Sequence, residues 1–111
     1  WQVDIHLIRV VAESEAVGQP TPEGVHRDGA EFVTVHLAEL TNAAGGEVTI
    51  YSNDEQTLAS FTLRNLLDSY LLDDRRVLHG VTPIYPADGQ SRAVRSILTF
   101  DYHFQPDLEH P

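Results

Sequence analysis

A histidine and a carboxylate stand two residues apart in the segment His26-Arg27-Asp28. On an extended chain, side chains two positions apart share a face, so the imidazole and the carboxylate are presented together and Arg27 points away. A third metal ligand must come from another strand, and His79 is the best candidate because it ends a short apolar run. Two histidines and one carboxylate leave adjacent positions open on an octahedral metal, the arrangement of non-haem Fe(II) oxygenases.

Arg95 stands near the start of the last apolar run, among Ala93, Val94 and Ile97. An arginine in such surroundings needs an anionic partner, because a buried unpaired charge is costly. Its guanidinium suits a carboxylate that accepts two hydrogen bonds. The partner is either one of the 17 acidic side chains, in a structural salt bridge, or the carboxylate of a keto-acid co-substrate. Taken with the metal triad, Arg95 favours the co-substrate, and its rival Arg92 lies among loop residues.

Composition excludes several classes of function. The chain has 111 residues, with 7 basic residues, all arginine, and 17 acidic ones, for a net charge of −10. Such a chain repels phosphate and is a poor partner for nucleic acid or an anionic membrane. The absence of cysteine and lysine excludes disulfides, thiolate metal sites and Schiff-base chemistry. No apolar run approaches the roughly 20 residues of a membrane span and no secretory signal is visible, so we expect a cytoplasmic protein.

Hydrophobic patterning predicts about seven short strands and no long helix. The strand-like runs are residues 1–12, 25–28, 31–40, 47–52, 66–72, 76–79 and 93–104. Segments 13–24 and 80–89 are predicted loops because they contain glycine and proline, 42–46 is a predicted turn, and 53–65 fits a short helix or a long loop. One domain of many short strands is typical of a β-sandwich or barrel.

The longest predicted strands are apolar on both faces. In the last one, Ile97 and Thr99 lie on one face while Leu98 and Phe100 lie on the other. An antiparallel sheet with one wet face should instead alternate apolar and polar residues. We therefore expect the outer sheet face to be covered, either by the partner of a homodimer or by an N-terminal segment absent from this chain.

Four runs resemble a known family in the same order: PTPEGVHRDGAEFV (20–33), GGEVTIY (45–51), LLDDRRVLHGVTPI (71–84) and RSILTF (95–100). They are similar to the bacterial 2-oxoglutarate/Fe(II)-dependent dioxygenases, a family that contains free L-amino-acid hydroxylases of the L-isoleucine dioxygenase type. The HRDG and LHGVTPI motifs are specific in combination. Family members are longer, with an N-terminal region before the first strand, and some carry Gln where Leu7 stands here.

The resemblance implies a double-stranded β-helix, or jelly roll, over residues 1–104, followed by a tail at 105–111. It places Fe(II) on His26, Asp28 and His79, and the C5-carboxylate of 2-oxoglutarate on Arg95. The implied reaction hydroxylates or sulfoxidises a small molecule, a free L-amino acid, and decarboxylates 2-oxoglutarate to succinate. Two alternatives stay open: a cupin-like metal enzyme of other chemistry, using manganese or zinc, and a truncated or inactive jelly-roll binding domain.

Other polar residues are assigned structural or surface positions, or stay open between two roles. His36 is expected to be a structural histidine, and Glu23 either meets a substrate ammonium or lies on the surface. His6 and Arg9 have opposite parity on the first strand, so at most one faces a pocket. Residues 73–76, Asp-Asp-Arg-Arg, are interpreted as a charged turn.

Overall fold

The computed structural model describes residues 1–13 and 25–106, which contain nine β-strands and no α-helix. The strands are β1 (Gln2–Ala12), β2 (Phe32–Thr41), β3 (Ala43–Gly45), β4 (Glu47–Ser52), β5 (Thr57–Thr62), β6 (Ser69–Asp73), β7 (Val77–Val81), β8 (Ile84–Pro86) and β9 (Ala93–His103). In these ranges no helix is long and apolar enough to cross a bilayer.

The strands form a two-layer antiparallel sandwich. A four-stranded sheet has the order β1-β9-β2-β6, and a three-stranded sheet has the order β5-β4-β7. A short β3-β8 pair forms a further small sheet, and His26 forms an isolated antiparallel bridge with His79 on β7. This arrangement confirms the predicted all-β jelly-roll class.

The core lies between the two sheets. Val33, Val35 and Leu37 alternate along β2 and are buried, because side chains two apart on a strand share one face. They pack with partly buried Ile50 and Phe61 from the three-stranded sheet. Removal of this apolar surface from water is the main stabilising contribution to the sandwich.

The predicted strands at 1–12, 31–40, 47–52, 66–72, 76–79 and 93–104 are confirmed within a few residues. The short strands β3, β5 and β8 were not predicted, and the predicted run 25–28 forms only the isolated bridge at His26. Segment 53–65, predicted as a helix or a loop, contains β5, whose first four residues are exposed. This edge strand is partly buried only at its end, where Phe61 meets the core, so its first four residues lack the alternation of buried and exposed positions that marks a strand in sequence. The predicted turn at 42–46 and loop at 80–89 contain β3 and β8, which pair with each other. The predicted loop at 13–24, with Glu23, and most of the predicted tail lie outside the described residues.

The outer face of the four-stranded sheet is apolar and open to solvent in this chain. Ile5, Phe100, Thr34 and Leu71 lie opposite one another in one row across the four strands. Ile5 is 61% exposed and Leu71 is 67% exposed. The two-sided apolar pattern is therefore confirmed, while a partner subunit or a further segment over this face stays a prediction.

Candidate metal centre

The backbone brings the two predicted histidine ligands side by side. His26 N donates to His79 O at 2.8 Å, and His79 N donates to His26 O at 3.0 Å. This bridge attaches the segment before β2 to the edge of the three-stranded sheet. The imidazole rings consequently lie with their centroids 4.4 Å apart.

The carboxylate of Asp28 lies close to both imidazole rings. His26 Nε2 lies 3.0 Å from Asp28 Oδ1, and His79 Nε2 lies 3.5 Å from Asp28 Oδ2. Nitrogen and oxygen ligands stand about 2.0–2.2 Å from a metal such as zinc, which puts two ligands at right angles about 3 Å apart. One ligand atom from each residue falls within 4.8 Å of the others, so the donor set and its spacing fit a divalent metal ion.

The burial of His79 favours the neutral form of its imidazole ring. Its side chain is 6% exposed, and desolvation lowers its pKa, with nearby Asp28 partly opposing the shift. Burial disfavours the charged imidazolium, so the ring is neutral at pH 7 and keeps a nitrogen lone pair. A neutral imidazole is the form that ligates metals.

Asp74 holds the loop on which Asp28 stands. Its fully buried carboxylate accepts hydrogen bonds from Asp28 N at 3.1 Å, Gly29 N at 2.7 Å and Ala30 N at 3.0 Å. The interpretation of 73–76 as only a charged turn is thus wrong for Asp74, although Asp73 does form surface ion pairs with two arginines. Only the fold reveals this role, because the three donors lie more than 40 residues away in sequence.

Arg95 is buried without a carboxylate partner among residues 1–13 and 25–106. It is 3% exposed, its Nη2 atom has no hydrogen-bond partner there, and no ion pair involves it. The burial of Arg95 lowers the pKa of its guanidinium. Nearby Tyr70 is buried too, and its own burial raises the pKa of its hydroxyl to about 12. The structural salt bridge considered for Arg95 is therefore absent from the described residues. The rival Arg92 is exposed, as expected.

A cavity of about 440 Å³ lies beside the triad, within the range of about 300–1,000 Å³ typical of small-molecule sites. The sheets contribute apolar and polar lining side chains, namely His6, Ile8, Val33, Val35, Tyr70, Val81, Ile97, Thr99 and Asp101. Arg95 itself does not line the cavity, but Tyr70 does, and Tyr70 lies near enough for its charge to affect the pKa of Arg95.

Three further expectations have clear outcomes. His6 lines the cavity and Arg9 instead pairs with Glu39, in agreement with their opposite parity. His36 bonds with the hydroxyls of Ser69 and Thr34, which supports its structural assignment. Arg27, expected to point away, borders the cavity. The reason is that only His26 of this segment is paired as a strand, so regular alternation stops there.

Two curated proteins are similar to most of this chain. L-isoleucine-4-hydroxylase from Bacillus thuringiensis is 30% identical over 90% of this chain, which spans 42% of that protein. The bifunctional enzyme flvA from Aspergillus flavus is 29% identical over 87% of this chain and 14% of its own length. The chain thus spans less than half the length of these relatives.

A family model and a solved structure also match most of this chain. The model of the 2OG-Fe dioxygenase family matches residues 1–101. The crystal structure of a bsmA homolog from Methylobium petroleophilum superposes with a TM-score of 0.78 at 35% identity. That match covers 91% of this chain and 41% of the solved one.

Proposed function

Because this chain belongs to the 2OG-Fe dioxygenase family, we propose that it forms the iron-binding core of a 2-oxoglutarate-dependent dioxygenase. In this proposal His26, Asp28 and His79 hold Fe(II). The convergence of one ligand atom from each residue within 4.8 Å carries the assignment. Neutral histidines and one ionised carboxylate would leave the Fe(II) site with a net positive charge, which favours an anionic co-substrate.

Arg95 is assigned to the far carboxylate of 2-oxoglutarate. Its guanidinium is buried and has an unpartnered Nη2 atom, and a carboxylate would compensate both its charge and its missing hydrogen bond. Bound iron and 2-oxoglutarate would supply the oxidising chemistry with O₂ as the oxidant: one oxygen atom of O₂ would enter succinate as the keto acid loses CO₂, and the other would enter the substrate. The protein contributes placement, and the valine and isoleucine side chains give the cavity an apolar lining.

A free L-amino acid is the proposed substrate. The support is the similarity to L-isoleucine-4-hydroxylase, at 30% identity. The cavity can accept a small side chain of this kind because Ile8, Val81 and Ile97 give it apolar walls. Hydroxylation at carbon is the proposed reaction, with oxygen transfer to sulfur as the alternative for a thioether substrate.

The first prediction concerns turnover of 2-oxoglutarate. Protein freed of metal and then given Fe(II), ascorbate and 2-oxoglutarate should form succinate, and the variant Asp28→Ala should form none. The loss of a charge-assisted hydrogen bond costs about 1.5–3 kcal/mol. Arg95→Ala should therefore raise the KM for 2-oxoglutarate by about 10- to 100-fold.

Arg92→Ala is the matched control, because it removes an exposed arginine three residues from Arg95 and should leave KM unchanged. Retained Mn(II) binding by Arg95→Ala would show that the variant is folded. Well-folded protein that forms no succinate would contradict the proposal. An unchanged KM for 2-oxoglutarate in Arg95→Ala would show that Arg95 does not hold its far carboxylate.

A further inference from the structure

The inner face of β9 carries a row of side chains that ends in opposite charges. Arg95, Ile97, Thr99 and Asp101 alternate along the strand and therefore share a face. At about 3.3 Å per residue, Arg95 and Asp101 stand about 20 Å apart. The last three of these residues line the cavity beside the metal triad. Thus Asp101 is a carboxylate in the cavity wall, at the end of the row remote from Arg95.

Asp101 has little positive charge to balance it. Its side chain is 17% exposed, and its nearest basic group among the described residues is His6 Nε2, 3.8 Å from Oδ2. His103 also lies near, but its Nε2 atom is 3.1 Å from Asp4 Oδ2. Burial, followed by the charge of Asp28, raises the pKa of Asp101; His6 and His103 oppose the rise, and Asp74 adds a smaller contribution to it. A cationic group of a ligand at this position would compensate the charge of Asp101 and the cost of its partial burial.

The corner around Asp101 is open to a ligand. His6 is 55% exposed, so solvent reaches this end of the cavity, whereas Ile8 and Ile97 give an apolar wall further along the same two strands. A ligand that fits would present a positive group to Asp101 and a hydrocarbon group to the wall. A primary ammonium suits a carboxylate through a charge-assisted hydrogen bond.

We propose that Asp101 binds the ammonium group of the substrate and so selects amino compounds over their uncharged or anionic analogues. The proposal rests on the proposed function, since it concerns the substrate of the same cavity. It gives the two ends of one strand different tasks. Arg95 serves the anionic co-substrate, and Asp101 serves the cationic group of the molecule to be oxidised.

Calorimetric titration of protein loaded with Mn(II) and 2-oxoglutarate tests this assignment without turnover. The probes are L-isoleucine, L-leucine and L-methionine, each compared with the carboxylic acid of the same skeleton that lacks the amino group. Wild type should bind at least one amino acid more tightly than its des-amino analogue. Asp101→Asn should weaken binding of that amino acid by about 10- to 100-fold and leave the Kd of the des-amino acid unchanged.

Asp4→Asn is the matched control, because Asp4 lies directly opposite Asp101 on β1 but pairs with His103. It should leave every affinity unchanged. Equal affinity of wild type and Asp101→Asn for the amino acid would overturn the inference, as would wild type that holds Mn(II) and 2-oxoglutarate but binds none of the amino acids. Weakened Mn(II) binding by Asp101→Asn would overturn it too, because Asp101 would then act on the metal centre. Wild type that holds neither Mn(II) nor 2-oxoglutarate would contradict the proposed function itself.

Discussion

At the scale of single residues, the metal centre depends on a carboxylate that binds no metal in our assignment. Asp74 is fully buried and accepts three backbone hydrogen bonds from residues 28–30. Removing an acceptor from buried donors costs the desolvation of each donor left unpaired. The position of Asp28, and with it the spacing of the triad, therefore depends on Asp74.

Asp74→Asn should lower both stability and metal affinity. The amide can accept with one oxygen only, so we expect the free energy of unfolding to fall by about 1–3 kcal/mol and the Kd for Mn(II) to rise. Denaturant unfolding and calorimetry measure the two effects. Asp73→Asn, which removes the adjacent carboxylate from its ion pairs with the exposed Arg75 and Arg76, should change neither appreciably. Wild-type values for Asp74→Asn in both assays would contradict this role.

At the scale of elements, the junction between β3 and β4 packs closely against the side chain of Arg95. Gly46 has φ +70°, a left-handed conformation that favours glycine. A Cβ atom there would lie 3.3 Å from Arg95 Nε and 3.3 Å from Ile84 Cγ2, closer than side chains usually approach. The glycine thus permits the backbone to pack against the guanidinium stem.

Gly46→Ala should weaken 2-oxoglutarate binding more than Mn(II) binding, because the added methyl displaces Arg95 and not the triad. Gly89→Ala separates this effect from backbone strain. Gly89 has nearly the same φ, +72°, but no atom lies within 4 Å of the position that an added methyl group would take. Both variants should lose about 1 kcal/mol of stability. Equal 2-oxoglutarate affinities in the two variants would contradict the inference that Gly46 positions Arg95.

At the scale of the whole molecule, the net charge of −10 opposes the binding of a dianion. The Debye length is about 30 Å at 0.01 M salt and about 10 Å at 0.1 M, and the radius of gyration is 15.3 Å. At low salt the whole molecule therefore repels 2-oxoglutarate. At higher salt only the charges close to the site act on it.

We therefore expect affinity for 2-oxoglutarate to increase, by about two- to threefold, as KCl is raised from about 10 to 150 mM. Mn(II) is the internal control, since its binding to the same acidic protein should weaken over that range. Calorimetry at several salt concentrations measures both. Weaker 2-oxoglutarate binding at high salt would mean that the positive charge of the metal and Arg95 outweighs the overall field.

The sequence by itself determined the long strands and the candidate ligands. β2 and β9 are runs of 10 and 11 residues rich in apolar and β-branched side chains, so the local pattern is sufficient to predict a strand. The spacing of His26 and Asp28 presents two donors together, and an arginine among apolar residues needs an anion. These inferences depend on neighbours along the chain, which a sequence displays directly.

The tertiary structure alone decided what depends on contacts between distant segments. It brings His26 beside His79, places the Asp74 carboxylate against the backbone of residues 28–30, and pairs β3 with β8. It also placed Asp101 in the cavity wall. A buried carboxylate and a surface carboxylate look alike in sequence, because their difference lies in which backbone amides and charges the fold brings beside them.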